Sequence, residues 1–120
     1  MAKRALCVGI NKYPIPGNDL MGCVNDANGW RDLLVEEFGF ADADVTVVTD
    51  SDATRQAMID GPVGLIEGSS AGYVLVFTNS SHGSYIPDTS GDEETYDEVM
   101  CPYDTRDEVF RAAAVELTEQ

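Results

Sequence analysis

Short apolar runs alternate with longer amphipathic stretches along most of the chain. Three runs have the length and composition of buried strands, at residues 5–10, 45–48 and 73–78. The stretches between them carry apolar residues at near-helical spacing, over 27–38 and again from Thr54 onward. This order of strand, helix, strand, helix and strand predicts an α/β fold with a mostly parallel sheet and right-handed crossovers.

Turn-forming residues predict where the two helices begin and end. The first helix is expected to pack its apolar face against the sheet and to stop at Gly39. That face consists of Ala27, Trp30, Leu34 and Phe38. Asn25 or Asp26 is expected to cap this helix or to place an acid in its first turn. In the second helix, Gly61 and Pro62 are expected to interrupt the pattern.

The third strand, read as buried, leads into the only histidine of the chain. Residues 73–78 are followed by three small polar residues and then by His82. In parallel α/β sheets, reactive groups gather just beyond the carboxyl ends of the strands. A single histidine on a loop is weak evidence on its own, so its role depends on the residues around it.

Acidic residues crowd the segment after His82. They are Asp88, Asp92, Glu93, Glu94, Asp97 and Glu98. Such a run of like charge is typical of a solvated loop. It does not form an EF-hand loop, because Glu93 stands where that loop needs glycine and Val99 where it needs glutamate. Residues 107–117 then predict a final helix with an apolar face.

Net charge and length limit the classes of partner. A charge of −15 over 120 residues leaves no positive footprint for nucleic acid or an anionic membrane surface. A cationic peptide, a metal ion or a basic protein fits this electrostatic field better. The length is that of one domain, residues 1–120.

The cysteines predict neither a disulfide framework nor a zinc site. Cys7, Cys23 and Cys101 are odd in number and form no CxxC pair. Cys7 and Cys101 are expected to pack in apolar surroundings. The chain starts without an apolar signal region and contains no run of transmembrane length. The expected location is therefore a reducing cytoplasm.

Several segments together resemble the caspase-like cysteine peptidases, and most closely the metacaspases. Residues 5–13, a strand followed by a Lys-Tyr turn, are similar to the first strand of that family. Residues 22–27 read Gly-Cys-Val-Asn-Asp-Ala and match its Gly-Cys-x-Asn-Asp-Ala segment. Residues 80–84, Ser-Ser-His-Gly-Ser, resemble its histidine box, and 88–93 and 96–104 resemble the acidic loop that follows. The segments occur in the family's order, which makes the resemblance specific.

This resemblance implies a fold and a mechanism. The implied fold is a caspase-like three-layer sandwich, in which helices flank a mostly parallel sheet. In the implied mechanism, a cysteine thiolate attacks a peptide carbonyl and a histidine manages the proton. His82 matches that histidine, and imidazole suits the task because its pKa lies near neutrality. The backbone N–H of Gly83 would help to bind the developing oxyanion.

The resemblance also implies a specificity and a metal. Metacaspases cut after Arg or Lys by means of an acidic pocket, which Cys23, Asp26 and Ser80 would line here. A carboxylate forms charge-assisted hydrogen bonds with a guanidinium group, so a peptide or protein substrate with basic residues is the expected partner. No cofactor is required for the reaction, but the family is often stimulated by calcium, and Asp97 lies at the matching place.

Two departures from the family affect the expected activity. Ser81 replaces a glycine before His82, which costs backbone freedom. In addition, the segment with the nucleophilic cysteine is missing, since about 50 residues separate the caspase histidine from that cysteine and the sequence ends at Gln120. Cys23 is a weaker candidate for the nucleophile, because the family match makes it a pocket wall. The domain is therefore expected to be truncated and inactive alone, with a second chain or segment supplying the cysteine.

Two alternative hypotheses stay open at this point. The chain could be a catalytically inactive caspase-like module that binds basic peptides or proteins, or an unrelated acidic α/β binding domain. Ending the sequence at Gln120 is expected to leave the third strand as an open apolar edge, which requires a pairing partner and so favours the truncated peptidase.

Overall fold

A three-stranded parallel sheet with one helix on each face forms the body of the molecule. The computed structural model describes residues 2–87 and 96–106. The strands of this sheet are β1 (Lys3–Gly9), β2 (Val45–Thr49) and β3 (Val74–Ser80), in the order β2-β1-β3. The helices are α1 (Cys23–Glu37) and α2 (Arg55–Glu67). A separate antiparallel hairpin follows, made of β4 (Gly83–Pro87) and β5 (Tyr96–Met100).

From Ala5 to Gly9, strand β1 is buried on both faces, which explains the apolar sequence of this part of the strand. Successive side chains of a strand point to opposite faces, so Ala5 and Cys7 join the core under α1, together with Leu34. Leu6 and Val8 join a second core on the α2 side. The α/β three-layer sandwich with a parallel sheet is therefore confirmed.

Strand β3 was expected to be buried, and this prediction is wrong. Val74 and Phe77 are 38% and 37% exposed. Within the described residues, β3 pairs with β1 along one side only, in register from Lys3 opposite Val74 to Gly9 opposite Ser80. Its other side is an edge, which leaves apolar side chains in contact with solvent.

The expected break in α2 is also wrong. The helix runs through Pro62 without interruption, and Thr54 caps it by accepting a hydrogen bond from the N–H of Ala57 at 3.2 Å. A Cβ at Gly61 would lie 2.5 Å from Cδ2 of Leu6. Gly61 therefore allows close packing of the helix on β1 rather than ending the helix.

Of the four residues predicted to form the buried face of the first helix, two are buried and two are exposed. Ala27 and Leu34 are buried, but Trp30 is 44% exposed and Phe38 is 55% exposed. Ala27 and Leu34 lie two turns apart on one line, and Trp30 lies to the side of it. Phe38 follows the last helical residue, and Gly39 ends the turn with a positive φ of 74° as expected.

The segment after His82 contains more regular structure than expected. Residues 96–98, read as part of a solvated loop, belong to β5. The rest of the acidic run, 88–95, and the predicted final helix at 107–117 lie outside the described residues. Within 2–87 and 96–106, neither helix combines the length and hydrophobicity that a bilayer crossing requires.

Candidate active site

The loop that follows β1 is fixed in position by hydrogen bonds to Asp50. The carboxylate of Asp50 accepts hydrogen bonds from the N–H groups of Asn11 at 2.8 Å and Lys12 at 3.0 Å. Asp50 adopts a positive φ of 47°, a conformation that is uncommon for a residue with a side chain. These charge-assisted bonds fix the first turn of the loop against the end of β2.

Asn11 also caps α1 from a distance. Its side-chain oxygen accepts hydrogen bonds from the N–H groups of Cys23 at 2.8 Å and Val24 at 3.2 Å. The prediction that Asn25 or Asp26 caps the helix is therefore wrong. The other part of that prediction, an acid in the first turn, is confirmed by Asp26. This contact places the start of α1, with Asp26 in its first turn, beside the end of β1.

His82 is held by the hydroxyl of Tyr13. That oxygen accepts a hydrogen bond from the backbone N–H of His82 at 3.1 Å and donates one to the carbonyl of Cys101 at 2.9 Å. The N–H of Cys101 in turn donates to the carbonyl of His82 at 2.8 Å. The Tyr13 ring lies 5.1 Å from the imidazole, centroid to centroid. Burial raises the pKa of Tyr13, so its hydroxyl remains a donor at neutral pH.

The imidazole of His82 has a defined tautomer when neutral. Its Nε2 lies 2.7 Å from the backbone carbonyl oxygen of Asn18. A carbonyl oxygen can only accept, so Nε2 must carry the proton in this contact. The lone pair of the neutral ring is then on Nδ1, which is the nitrogen able to take a proton from a nucleophile. This carbonyl contact was missed at the sequence level, because it comes from the backbone of a residue 64 positions away.

Two of the three predicted pocket residues are in direct contact. The hydroxyl of Ser80 donates a hydrogen bond to the carboxylate of Asp26 at 2.9 Å. Both residues line an open cavity of about 430 Å³ between the first half of α1 and the carboxyl end of β3. The cavity is also lined by Asn25, Gly29, Trp30, Leu33 and Asn79, which the sequence analysis did not assign to the site. For the four residues in α1 the available signal was their spacing, since they share two adjacent faces of the helix with Asp26, whereas Asn79 precedes Ser80 in β3.

The third residue predicted for the pocket, Cys23, is not among the residues that line this cavity. It is the first residue of α1 and is 8% exposed. The other two cysteines are fully buried, as predicted, and burial raises the pKa of both the Cys7 and the Cys101 thiol. Those two thiols are therefore poor nucleophiles at neutral pH.

The remaining predicted residues lie in the hairpin. Gly83 begins β4 directly after His82, opposite Met100 of β5. Asp97 is a β5 residue whose backbone is opposite Ile86, but its side chain lies outside what the structure describes. Among the described residues, no group of three or more His, Cys, Asp or Glu side chains could hold a metal ion. The roles of Gly83 in oxyanion binding and of Asp97 in calcium binding stay predictions.

Removing the Tyr13 hydroxyl is expected to loosen His82 without emptying the core. Tyr13→Phe keeps the ring but deprives the His82 N–H and the Cys101 carbonyl of this partner. We expect a stability loss of about 2 kcal/mol, because unsatisfied buried groups cost roughly 1–3 kcal/mol. Denaturant unfolding measures this loss, and NMR of the single imidazole should show shifted signals. Tyr73→Phe, at a ring that is 38% exposed, is the matched control; an unchanged imidazole spectrum in Tyr13→Phe would contradict the positioning role.

Comparison with known proteins gives consistent matches. A family model described as "Metacaspase, peptidase C14 domain" matches residues 3–112. The chain is 38% identical over 133 residues to metacaspase-7 of Arabidopsis thaliana, covering 99% of this chain and 32% of that protein. It is 35% identical over 109 residues to metacaspase-1 of Schizosaccharomyces pombe, covering 85% of this chain and 25% of that protein. A crystal structure of a protein from Geobacter sulfurreducens superposes with a TM-score of 0.72 at 30% identity, over 94% of this chain and 44% of that one. The chain thus spans a third or less of the length of these two metacaspases.

Proposed function

Because the chain belongs to the metacaspase family of caspase-like cysteine peptidases, we propose that it provides the histidine and the basic-residue pocket of an endopeptidase that cleaves after Arg or Lys. One observation carries this proposal. The Asp26 carboxylate and the Ser80 hydroxyl meet at 2.9 Å on the wall of the cavity, and His82 follows two residues after Ser80. A substrate side chain in the cavity would therefore hold its peptide bond near the imidazole.

The pocket chemistry supports a basic substrate. Asp26 is exposed at the cavity, and a carboxylate accepts several hydrogen bonds. The bond from Ser80 orients it and leaves acceptor capacity for a cation. The overall charge of −15 adds an attractive long-range field for a basic peptide. An acidic substrate side chain would meet repulsion from both.

The proton chemistry supports a histidine that works through Nδ1. A cysteine thiol would lose its proton to Nδ1 and attack the scissile carbonyl, forming the S–C bond of a tetrahedral intermediate. Collapse of that intermediate breaks the C–N bond, and the imidazolium returns the proton to the leaving amine. Water, deprotonated by the same imidazole, would then attack the S-acyl carbonyl and break the S–C bond, which releases the acid product and restores the thiol. The Asn18 carbonyl keeps Nε2 as a donor and stabilises the imidazolium between these steps. The Gly83 N–H would bind the oxyanion in this scheme.

The nucleophile is proposed to come from a segment outside this sequence. Cys7 and Cys101 are buried with raised pKa values, and Cys23 is only 8% exposed. Within 2–87 and 96–106, β3 pairs with β1 alone, and an unpaired strand edge accepts a further strand. The segment is therefore proposed to dock on this edge. Family membership also excludes the alternative of an unrelated acidic α/β domain.

The test is a hydrolysis assay on the chain alone and with the remainder of a metacaspase domain added in trans. Fluorogenic peptides ending in Arg, Lys or Asp are compared, with and without calcium. We expect no turnover by the chain alone, and cleavage after Arg and Lys but not Asp once the second segment is present. In Asp26→Asn, kcat/KM for the basic peptides should fall about tenfold to a hundredfold, because a charge-assisted hydrogen bond is lost.

Asp32→Asn is the matched control, since Asp32 is an exposed carboxylate on the same helix outside the cavity lining. Cleavage by the chain alone would refute the proposal of an external nucleophile. Binding of basic peptides without any cleavage, even with the second segment, would support the catalytically inactive binding module instead.

A further inference from the structure

An aromatic side chain forms part of the cavity wall and has no role in the scheme above. Trp30 is the only tryptophan of the chain, is 44% exposed and lines the cavity together with Asp26. It follows Asp26 by four residues in α1, so the two side chains are neighbours on one helix face. Leu33, 40% exposed, extends the apolar part of the same wall.

Trp30 does not belong to the core that the described residues form. The buried residues of α1 are Cys23, Ala27 and Leu34, so the core under the helix is formed without Trp30. A large aromatic ring left in solvent beside a carboxylate is a common arrangement for recognising a cation, because the ring face is negative. The wall thus combines a charge and a flat aromatic surface.

Gly29 leaves open space next to Trp30 in the wall of the cavity. A Cβ at Gly29 would meet nothing within 4 Å, and its φ is not positive. Neither close packing nor backbone conformation therefore explains a residue that is unfavourable in a helix interior. The space is part of the cavity, whose volume of about 430 Å³ is within the usual range for ligand sites.

We infer that Trp30 is a specificity-determining residue that makes the cavity prefer an arginine side chain over a lysine side chain. A guanidinium group is planar, so it can stack on the indole face while its N–H groups meet the Asp26 carboxylate. A lysine ammonium is a compact, strongly hydrated charge that pairs with Asp26 but stacks poorly. The inference rests on the proposed function, because it concerns the same pocket.

The test measures binding rather than turnover. Acetylated tripeptide amides ending in Arg, Lys or citrulline are titrated into the chain, with the fluorescence and the indole N–H NMR signal of its single tryptophan as reporters. We expect Arg to bind about threefold to tenfold more tightly than Lys. Citrulline, which keeps the shape without the charge, should bind more weakly than either. The indole signals should move with Arg and little with Lys.

Two variants separate this inference from the proposed function, with calorimetry replacing fluorescence because the fluorophore is removed. In Trp30→Leu, Arg and Lys should bind equally, whereas Trp30→Phe should keep part of the preference. Equal binding of Arg and Lys by the unmodified chain, or an unchanged preference in Trp30→Leu, overturns the inference and leaves the basic pocket standing. If no basic peptide binds, or if Asp26→Asn binds as well as the unmodified chain, both the pocket and the inference are overturned.

Discussion

Replacing His82 with alanine is expected to lower kcat of the reconstituted peptidase by about a hundredfold to ten-thousandfold, the usual contribution of a general acid and base. In the proposed mechanism, the variant loses the nitrogen that takes the proton of the thiol and returns it to the leaving amine. The cavity residues Asp26 and Ser80 are unchanged, so binding of an Arg peptide should change little. Steady-state kinetics with an Arg substrate, together with peptide titration, measure the two effects separately.

A second variant distinguishes proton transfer from mere positioning at His82. In His82→Gln, the side-chain amide can donate to the Asn18 carbonyl as Nε2 does now, but it cannot take up a proton near neutral pH. We expect it to be more stable than His82→Ala and equally inactive. Substantial activity in His82→Gln would refute the role of His82 as the general base.

Replacing Gly9 with alanine is expected to destabilise the domain by about 3 kcal/mol or more, at or above the upper end of the usual cost of overpacking. A Cβ there would collide with the carbonyl oxygen of Cys23 and lie 2.9 Å from Cβ of Ala27. Both obstacles are rigid parts of α1, so no side-chain rotation can relieve them. Either the helix moves away from β1 or the end of the strand distorts.

Chemical denaturation measures this loss, and Gly64→Ala provides the matched control. Gly64 is an exposed residue of α2, and a Cβ there would meet nothing within 4 Å. That variant should gain about 0.5–1 kcal/mol through helix propensity. An unfolding midpoint of Gly9→Ala equal to that of the unmodified chain would contradict the close approach of α1 and β1.

The fold was predictable because its signals are local. Apolar runs and helical spacing identify β1, β2 and both helices, and the switch to small polar residues after β3 leads to His82. The exposure of β3 could not be read in the same way, because an edge strand and a central strand can share one composition. Gly61 and Pro62 were misread for a related reason. Glycine signals a break when read locally, but here it serves contact with Leu6 on a distant strand.

The candidate site was only partly predictable because its contacts are long-range. Asp26 and Ser80 were assigned through motif resemblance, and the structure brings them together. The roles of Asn11 as a helix cap, of Tyr13 as a support for His82 and of the Asn18 carbonyl had no sequence signal. Each depends on a partner between 12 and 88 positions away, beyond the reach of any local periodicity.

The network around Tyr13 also has a consequence for the order of folding. Its hydroxyl joins residues 69 and 88 positions away along the chain, whereas α1 and α2 form from neighbours. Closing such long loops costs chain entropy before any contact compensates for it. We therefore expect the helices to form first. The pairing of β1 with β3 joins residues as distant in sequence as Lys3 and Val74, so we expect the sheet and the His82 region to form later. A partly folded chain would then carry the cavity residues of α1 without a positioned histidine, so that proton transfer becomes available only to the fully folded domain.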